Sequence, residues 1–525
     1  MSIIVNQLSG EDEGGQGSVR KWVYTPFIIG AGAIAVLSGV FVSYLSYFTG
    51  ITAIYYLLAL VLLIFIPLIV ITRDHPMQYM LYALLIGLPV VAFIVPPGRL
   101  GVSIFDYSML LVLLTELWRR ATNRQSTQAT NNPFFPTLSL MLLQLLAIPI
   151  VLMANSLGIA TWVFLENFLA YLFFLMLLRE IQSDDGGERM FFIFSIAVTM
   201  LAVGVFFQTI TGISLIPISE NLNQLTHEGG LIIYRPGGFF QDPQKAAQFF
   251  SCAGVLLLTL GWGQRFSKNK IHFAVWVATV SAFIALFLTL SRSALLAGVI
   301  SIPFIFFFGV RRGIHIKTLA FIAFLGIMLS ILFIPNDILI GMLPEEVKSR
   351  FSTIEESLFF RIRIWFDTWK MFADQPITGI GLGGFESYLL AENPSMKNYM
   401  GIGNTQAGIF IPGQPESGYF KILYEGGLLG SLATFLLVIA AFRRAFLVLH
   451  SPDALPKWKT EVVGSLVSLL VFGLSFTTLF TLSDERNIVI LVLPLAIIWA
   501  RSMALDTILK EKIAFSISQR KRRFS

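Results

Sequence analysis

Residues 190–212 read MFFIFSIAVTMLAVGVFFQTITG, a run of sequence without a single charged side chain. About 20 apolar residues in a helix are enough to cross a bilayer core of about 30 Å. A segment inside that core must satisfy its own backbone hydrogen bonds, which a helix does and an isolated strand does not. Glu188 and Arg189 precede the run, where the chain would leave the membrane. Residues 190–212 therefore predict a membrane-spanning helix.

Similar runs recur along the 525-residue chain, of which 55% is hydrophobic and only 13% is charged. A soluble protein has about 25% charged residues, so this composition excludes a soluble globular fold. The predicted spans are 26–48, 51–72, 77–95, 102–118, 136–155, 159–179, 190–212, 244–263, 272–290, 293–310, 317–334, 418–442, 461–482 and 487–504. The predicted fold class is therefore an all-α, polytopic integral membrane protein with about 14 transmembrane helices.

Basic residues cluster in the loops after every second predicted span, for example Arg119, Arg120, Arg311 and Arg312. Short cytoplasmic loops carry an excess of lysine and arginine, so this pattern predicts that both termini are cytoplasmic. The same topology accounts for the net charge of +6, and nucleic acid is therefore not an expected partner.

Cysteine and histidine are too sparse to predict a disulfide framework or a metal site. Cys252 is the only cysteine and lies in an apolar segment, and the five histidines are scattered. No metal and no cofactor are therefore expected.

Two predicted external loops divide the chain, because the other external connections are only a few residues long. The predicted regions are a disordered cytoplasmic tail (1–25), N-terminal transmembrane helices (26–212), a medium external loop (213–243), central transmembrane helices (244–334), a large external loop (335–417), C-terminal transmembrane helices (418–504) and a basic cytoplasmic tail (505–525). We expect the functional site in the two external loops and in an outward-facing cavity beneath them.

The large loop contains a predicted amphipathic helix at residues 345–373, in which aromatic and basic side chains alternate. Such a helix on a membrane protein is expected to lie along the bilayer surface. Pro376 ends it, and a glycine-rich turn that permits close backbone approach follows at residues 379–384.

Four arginines on the predicted external side are candidate ligands for a diphosphate: Arg235, Arg292, Arg361 and Arg363. An arginine at membrane depth costs about 2.5–3.5 kcal/mol on insertion scales, so its retention needs a reason. Guanidinium groups bind phosphate through two parallel hydrogen bonds. The four side chains together predict an anion site at the mouth of the bundle.

Each arginine also has a simpler interpretation, which the sequence leaves open. Arg292 lies in a tight hairpin and can extend its side chain to the membrane interface. Arg235 can merely satisfy loop carbonyl groups.

The amphipathic helix presents its two arginines on different faces. Arg363 and Asp367 are four residues apart and can pair with each other. Arg361 shares a face with Trp365 and Thr368, which makes it the better candidate for binding a ligand.

Carboxylates on the same side are candidate acids and bases. Glu416 lies where the large loop re-enters the membrane, and Glu425 follows about two turns deeper. A carboxylate at that boundary can accept a proton from a sugar hydroxyl, or can simply interact with the positive end of a helix. Asp242 and Glu386 are secondary candidates, and Asp242 can instead cap the helix that starts at Pro243.

Four segments in order resemble the bacterial O-antigen ligase and polymerase superfamily. They are RPGGFFQDP at 235–243, TLSRS at 289–293, the stretch from Arg361 and Trp365 through DQPITGIGLGGF at 374–385, and the stretch from Tyr419 to EGGLLG at 425–430. An arginine and a glycine separated by fifteen residues, as described in O-antigen polymerases, occur here as Arg363 and Gly379. The resemblance covers roughly residues 190–480.

The resemblance implies a metal-independent glycosyltransferase of the GT-C-like type on the outer face of a bacterial inner membrane. Its donor and its acceptor would both be polyprenyl-diphosphate-linked oligosaccharides, and a chain-length regulator is a candidate partner. The expected catalytic residues are Arg292 and Arg361, which would stabilise the departing diphosphate, and Glu416, which would act as the base.

One departure from the family pattern favours a polymerase over a ligase. Ligases usually carry a histidine just before the last re-entry, whereas this chain has Glu416 and Ser417 there and no histidine anywhere in 335–417. We therefore expect a polymerase of O-antigen, capsule or exopolysaccharide. The alternatives are a ligase that transfers glycan to lipid A-core or another acceptor, and a flippase of lipid-linked glycans.

Overall fold

The computed structural model describes part of the chain. The described residues are 76–89, 103, 105–106, 108–110, 147–152, 154, 157–182, 186–212, 224–226, 232–240, 242–263, 266–307, 362, 365–366, 368–370, 372–384, 417–477, 482 and 484–524.

Helices dominate these residues. In chain order the elements are α1 (Pro76–Ile86), α2 (Ala147–Leu152), α3 (Leu157–Gln182), α4 (Gly186–Thr211), β1 (Gln224–Thr226), β2 (Ile232–Tyr234), α5 (Pro243–Gly263), α6 (Asn269–Leu288), α7 (Arg292–Phe307), α8 (Gly418–His450), α9 (Pro456–Phe476) and α10 (Glu485–Phe524).

Seven helices within the described residues are long and apolar enough to cross a membrane. They lie in α3, α4, α5, α6, α8, α9 and α10. The prediction of a polytopic helical membrane protein is thereby confirmed. The predicted spans at 26–48, 51–72 and 317–334 lie outside the described residues, so the total of fourteen stays a prediction.

A small antiparallel hairpin is the exception to the all-α prediction. Strands β1 and β2 pair with Gln224 opposite Tyr234 and Thr226 opposite Ile232. The hairpin lies in the predicted medium loop, and its second strand leads directly to Arg235. Each strand has only three residues, too few to leave a recognisable alternating pattern in the sequence.

The described core centres on α5, which packs against α6, α7 and α9. Small residues permit these close approaches, since a Cβ on Gly464 of α9 would lie 3.2 Å from Thr259 Cβ. Hydroxyl groups also join the helices: Ser468 donates to the carbonyl of Cys252, and Ser251 donates to the carbonyl of Ala294. The centre of the bundle is therefore held by small and hydroxylated side chains as well as apolar ones.

Two helices run beyond the spans predicted from hydropathy. The structure extends α8 to His450, where the predicted span ends at residue 442, and α10 to Phe524, where it ends at 504. Charged residues appear at the predicted ends, but lysine and glutamate are good helix formers. After Pro494 the chain contains neither proline nor glycine, so nothing in its sequence stops α10.

The bundle has two ends with different chemistry. We call the end that carries residues 235–242 and 289–291 the loop end; there α4 and α6 finish and α5 and α7 begin. We call the opposite end the basic end, because Arg179, Lys268, Arg444 and Arg501 lie there. Contacts such as Arg444 to Ser502 and Thr460 to the carbonyl of Gly263 connect the helices at that end.

Candidate functional site

Arg235 begins a buried loop, residues 235–240, between β2 and α5. Its side chain is buried, and Nε donates a hydrogen bond to the carbonyl oxygen of Thr289 at 3.2 Å. Thr289 belongs to the turn between α6 and α7, immediately before Arg292. The structure thus brings together two of the predicted arginine segments, which are far apart in sequence.

The contact to Thr289 also bears on the simpler interpretation of Arg235. The guanidinium satisfies a loop carbonyl, as that interpretation requires, and the carbonyl belongs to the turn that precedes Arg292. Leu290 in this turn has φ 53°, a left-handed conformation that is strained for a leucine. Such strain persists where the surroundings enforce it, and is common at functional sites.

The two glycines after Pro236 are hydrogen-bonded to a side chain at the end of α4. Gln208 accepts hydrogen bonds from the N–H groups of Gly237 and Gly238 at 2.9 and 2.6 Å. Gly238 has φ 62°, and a Cβ there would lie 2.8 Å from the backbone nitrogen of Val205. Only glycine therefore fits at this position.

The end of the same loop is held by Arg486, a residue that the sequence analysis did not single out. Its guanidinium pairs with Asp484 through two hydrogen bonds, Nε to Oδ1 at 2.8 Å and Nη2 to Oδ2 at 2.7 Å. Nη1 donates to the carbonyl of Phe239, and the guanidinium carbon lies 4.2 Å from the ring centre of Phe240. Arg486 is only 1% exposed.

Asp484 supplies the charge that a buried Arg486 requires. Burial alone would raise the pKa of Asp484, but the Arg486 guanidinium and its hydrogen bonds hold that pKa below its ordinary value. The available sequence signal was the charged run Asp484-Glu485-Arg486 between two apolar segments. Such residues are costly near a membrane and mark a structural or functional need.

The glycine-rich turn at residues 376–384 docks on α8. Four backbone hydrogen bonds join the two segments: Ile380 N to Tyr424 O (2.8 Å), Gly381 N to Glu425 O (3.1 Å), Leu428 N to Pro376 O (2.9 Å) and Leu429 N to Ile377 O (3.1 Å). The end of the predicted large loop is thereby fixed to the beginning of the following transmembrane helix.

Glycine is required on both sides of this contact. A Cβ on Gly379 would lie 2.4 Å from the carbonyl oxygen of Tyr424, and a Cβ on Gly427 would lie 2.5 Å from the nitrogen of Gly379. Gly427 has φ 58° and ψ −153°, which kinks α8 and frees its backbone groups for the turn. The predicted close backbone approach is confirmed, and its partner is α8.

Glu425, a secondary catalytic candidate, is buried beside this kink. Lys421 Nζ lies 3.7 Å from its Oε1, and the Tyr424 hydroxyl donates to the same oxygen at 3.3 Å. The N–H of Gly383 also donates to the carboxylate. The hydrogen bond from Gly383 connects the glycine-rich turn to Glu425.

Asp242 has the capping role that the sequence left open. Its Oδ1 accepts a hydrogen bond from the N–H of Gln244 at 2.8 Å, and Pro243 is the first residue of α5. This arrangement is typical of a helix N-cap followed by proline. The contact supports the capping interpretation.

The described residues between 362 and 374 are helical and have two different faces. Trp365 stacks on Phe420 of α8 with ring centres 5.4 Å apart, and Thr368 is buried. Phe366 and Trp369 are exposed. The buried face is the one that the sequence analysis assigned to Arg361.

Several candidates cannot be placed. Arg361, Arg363, Glu386 and Glu416 lie outside the described residues. Arg292 is the first residue of α7, and only its backbone is described. Its position at a helix N terminus favours anions nearby.

The structure also reveals carboxylates near the loop end that the sequence did not single out, of which Asp106 is buried and Glu166 and Glu485 are half-buried. Ser103 donates from both its backbone N–H and its hydroxyl to Asp106 Oδ2, at 3.0 and 2.8 Å, and also contacts Glu485. Glu166 interacts electrostatically with Asp106 and with Lys421. Within the part of the chain that the structure describes, no such group of side chains is arranged to hold a metal ion.

Comparison with known proteins adds an independent observation. Residues 277–435 match the family model described as O-antigen ligase. This match supports the O-antigen ligase and polymerase superfamily and confirms the resemblance drawn from the motifs. The matched region includes the Thr289 turn, the glycine-rich turn and the kink of α8, but not the Arg235 loop or Arg486. No curated protein matches the chain.

Proposed function

We propose that this protein is a membrane glycosyltransferase that polymerises polyprenyl-diphosphate-linked oligosaccharide repeat units. The family match over residues 277–435 supports an enzyme of the O-antigen ligase and polymerase type. The observation that carries the proposal is the contact of Arg235 with Thr289, which joins two of the segments that we propose bind the diphosphate.

The positive-inside rule supports an orientation for the site. The basic end would face the cytoplasm of a bacterial cell, because its short connections carry the lysines and arginines. The loop end would then face outward, with both chain termini cytoplasmic. We extend this proposal to fourteen spans and a GT-C-like arrangement, in which the membrane positions both lipid-anchored substrates.

In the proposed reaction, a hydroxyl oxygen of the acceptor attacks the anomeric carbon of the donor. The bond from that carbon to the diphosphate oxygen breaks, and its electron pair leaves with the diphosphate. Arg235, Arg292 and Arg361 would stabilise the charge that develops on this leaving group, with Arg363 as a further ligand. The transition state would resemble an oxocarbenium ion.

The proton of the acceptor hydroxyl would pass to a carboxylate, and we retain Glu416 for this role. Glu416 directly precedes Ser417, which is buried where α8 begins. Glu425 stays a secondary candidate, since its carboxylate already accepts hydrogen bonds from the Tyr424 hydroxyl and the Gly383 N–H and lies 3.7 Å from Lys421 Nζ. No metal takes part in this scheme.

A second candidate is a ligase that transfers glycan to lipid A-core or another acceptor, and the name of the matched family favours it. The purified protein should therefore be assayed with a defined lipid-linked repeat unit, with and without a second glycan acceptor. A polymerase makes long chains from the repeat unit alone. Product only when the second acceptor is present would identify a ligase.

A flippase is the third candidate, and cells that lack the protein distinguish it. Loss of a polymerase leaves single repeat units exported and removes long chains. Loss of a flippase blocks export of every repeat unit. Loss of a chain-length regulator would change the length distribution of the glycan if the protein is a polymerase, but not if it is a flippase.

A further inference from the structure

We propose that Arg486 is a positioning residue, which holds the loop of residues 235–240 in the conformation that glycan transfer requires. The part of this proposal that concerns transfer rests on the proposed function. The part that concerns the loop rests on geometry alone. Residues 484–486 lie outside the region matched by the family model, so no comparison assigns them a role.

Three sides of the Arg486 guanidinium contact three different groups. One edge pairs with Asp484, Nη1 donates to the carbonyl of Phe239, and one face lies 4.2 Å from the ring centre of Phe240. A lysine ammonium keeps the charge but has neither the planar fork nor the flat face. Arg486→Lys should therefore keep the ion pair and lose the hold on the loop.

Arg486 connects the second half of the loop to α10, through the hydrogen bond to the Phe239 carbonyl and the contact with the Phe240 ring. Gln208 holds Gly237 and Gly238 to α4, whereas Phe239 and Phe240 are connected to α10 through Arg486. The Phe240 ring also packs against Phe249 and Phe250 of α5, with ring centres 5.5 and 6.0 Å apart. Because the loop is short and buried, a displacement of Phe240 should also displace Arg235 and alter its contact with Thr289.

The same helix offers a matched control at the basic end of the bundle. Arg501 pairs with Glu461, donates to the carbonyl of Ile181 at 3.3 Å and lies 5.9 Å from the ring centre of Trp458. Arg501→Lys removes an equivalent fork at the basic end, away from the loop. Any effect that Arg486→Lys alone produces therefore belongs to the loop.

The structural test is hydrogen exchange of the full-length protein in lipid nanodiscs. We expect the amides of residues 237–240 to exchange about tenfold faster in Arg486→Lys than in the wild type. In Arg501→Lys they should exchange at the wild-type rate, and the amides near Ile181 should exchange faster instead. Phe240→Leu keeps an apolar side chain but removes the ring, and it should give a smaller increase in the exchange rate of these amides. This variant replaces Arg486→Lys in the test if Arg486→Lys does not fold.

The functional test is a double-mutant cycle between Arg486→Lys and Arg235→Ala. The substrate is the polyprenyl-diphosphate-linked glycan that accumulates in cells lacking the protein. Arg486→Lys should lower kcat about tenfold and change KM little, because the leaving-group charge develops in the transition state. In the Arg235→Ala background the same change should have no further effect, since both act through one group.

Unchanged exchange at residues 237–240 in both Arg486→Lys and Phe240→Leu would overturn the proposal. Independent, multiplying effects of Arg486→Lys and Arg235→Ala on kcat would overturn it as well. If Arg235→Ala alone leaves kcat unchanged, the proposed role of Arg235 in transfer fails. The exchange result then still decides whether Arg486 positions the loop.

Discussion

Arg486 and Arg501 lie on the same helix, α10, yet hold different kinds of structure. Each buried guanidinium contacts a carboxylate, a backbone carbonyl and an aromatic face: Asp484, Phe239 and Phe240 for the first, and Glu461, Ile181 and Trp458 for the second. At the basic end the carbonyl and the carboxylate belong to long helices, α3 and α9. At the loop end the carbonyl belongs to a short irregular segment.

This difference shows what a buried ion pair does in each place. At the basic end Arg501 ties three helices together and also packs close to Gly187 at the start of α4, so its role is stability. Asp484 is only two residues from Arg486, so their pairing adds no contact between distant elements. The long-range consequence of Arg486 lies entirely in the Phe239 carbonyl and the Phe240 ring.

The largest loss of polymer should follow from removing the arginines that we propose bind the diphosphate at the loop end. Arg292→Ala and Arg361→Ala should each abolish polymer, because losing one preorganised donor to a developing anion costs about 10²–10³ in rate. Polymer length on gels measures this, with protein level and topology checked in parallel. Near-normal chain length in both variants would remove the diphosphate site, and Arg501→Lys is the control at the basic end.

A somewhat smaller loss should follow from removing the proposed base. Glu416→Gln should lower turnover about 10²-fold without weakening donor binding, since a general base acts on the reacting proton and not on the diphosphate. Turnover and donor affinity are measured separately on purified protein. Unchanged turnover would reassign the base, and Glu425→Gln is then the variant to measure.

The glycine contact between the large loop and α8 should respond to a single methyl group. Gly379→Ala places a Cβ 2.4 Å from the Tyr424 carbonyl and imposes a left-handed φ of 67° on alanine. Strain of this kind costs about 1–3 kcal/mol, and the turn must also move away from α8. We expect a lower unfolding temperature and about tenfold less polymer, by thermal unfolding in detergent and by gel.

The matched control for that variant is Gly158→Ala, because a Cβ at Gly158 meets nothing within 4 Å among the described residues beyond its own stretch of helix. Alanine also favours a helix, so Gly158→Ala should keep both stability and polymer. Equal unfolding temperatures and polymer yields for Gly379→Ala and Gly158→Ala would show that the docking of the glycine-rich turn on α8 contributes to neither stability nor polymer formation.

The smallest expected difference in polymer yield is the one between variants of the two buried carboxylates, Asp484 and Glu461. Asp484→Asn and Glu461→Gln each remove one partner of a buried pair, which costs about 3–5 kcal/mol of stability. Both should therefore lower the unfolding temperature similarly, whereas only Asp484→Asn should reduce polymer, by less than about tenfold. Equal polymer in the two variants would contradict a special role for the loop end.

The pKa direction of Asp484 adds a pH dependence to this comparison. Because its pKa in the folded protein is below the ordinary value, the stabilisation is complete above the unfolded pKa of about 4 and is lost as pH falls through the folded pKa. The free energy of unfolding of the wild type should thus approach that of Asp484→Asn as pH falls below about 4. A difference between the two that persists unchanged in strong acid would contradict the lowered pKa of Asp484.

Much of the fold was predictable because transmembrane helices leave a local record in hydropathy. Where the described helices coincide with predicted spans, as at α4 and α5, the boundaries differ by only a few residues. Helix ends beyond the membrane were not predictable in this way, since hydropathy records where charge begins and not where the helix stops. The helices that contain the spans predicted to end at 442 and 504 continue to His450 and Phe524.

The candidate site was predictable only in part, because sequence patterns record local features and not contacts between distant segments. The glycine-rich turn and the arginine segments stand out as local patterns, and the structure confirms the close approach at Gly379 and joins Arg235 to the Thr289 turn. The hold of Arg486 on Phe239 spans 247 residues of sequence. No periodicity or spacing encodes such a pair.

The sequence by itself determined that this chain is a membrane protein of many helices, with basic residues at one end and unusual arginines at the other. Hydrophobicity, length and charge act within each segment, so they can be read one segment at a time. Only the tertiary structure decided which loops meet at the loop end, where Arg235 lies on the Thr289 turn and Arg486 on Phe239 and Phe240. Those contacts depend on how the helices are arranged around α5, and that arrangement is a property of the packed bundle as a whole.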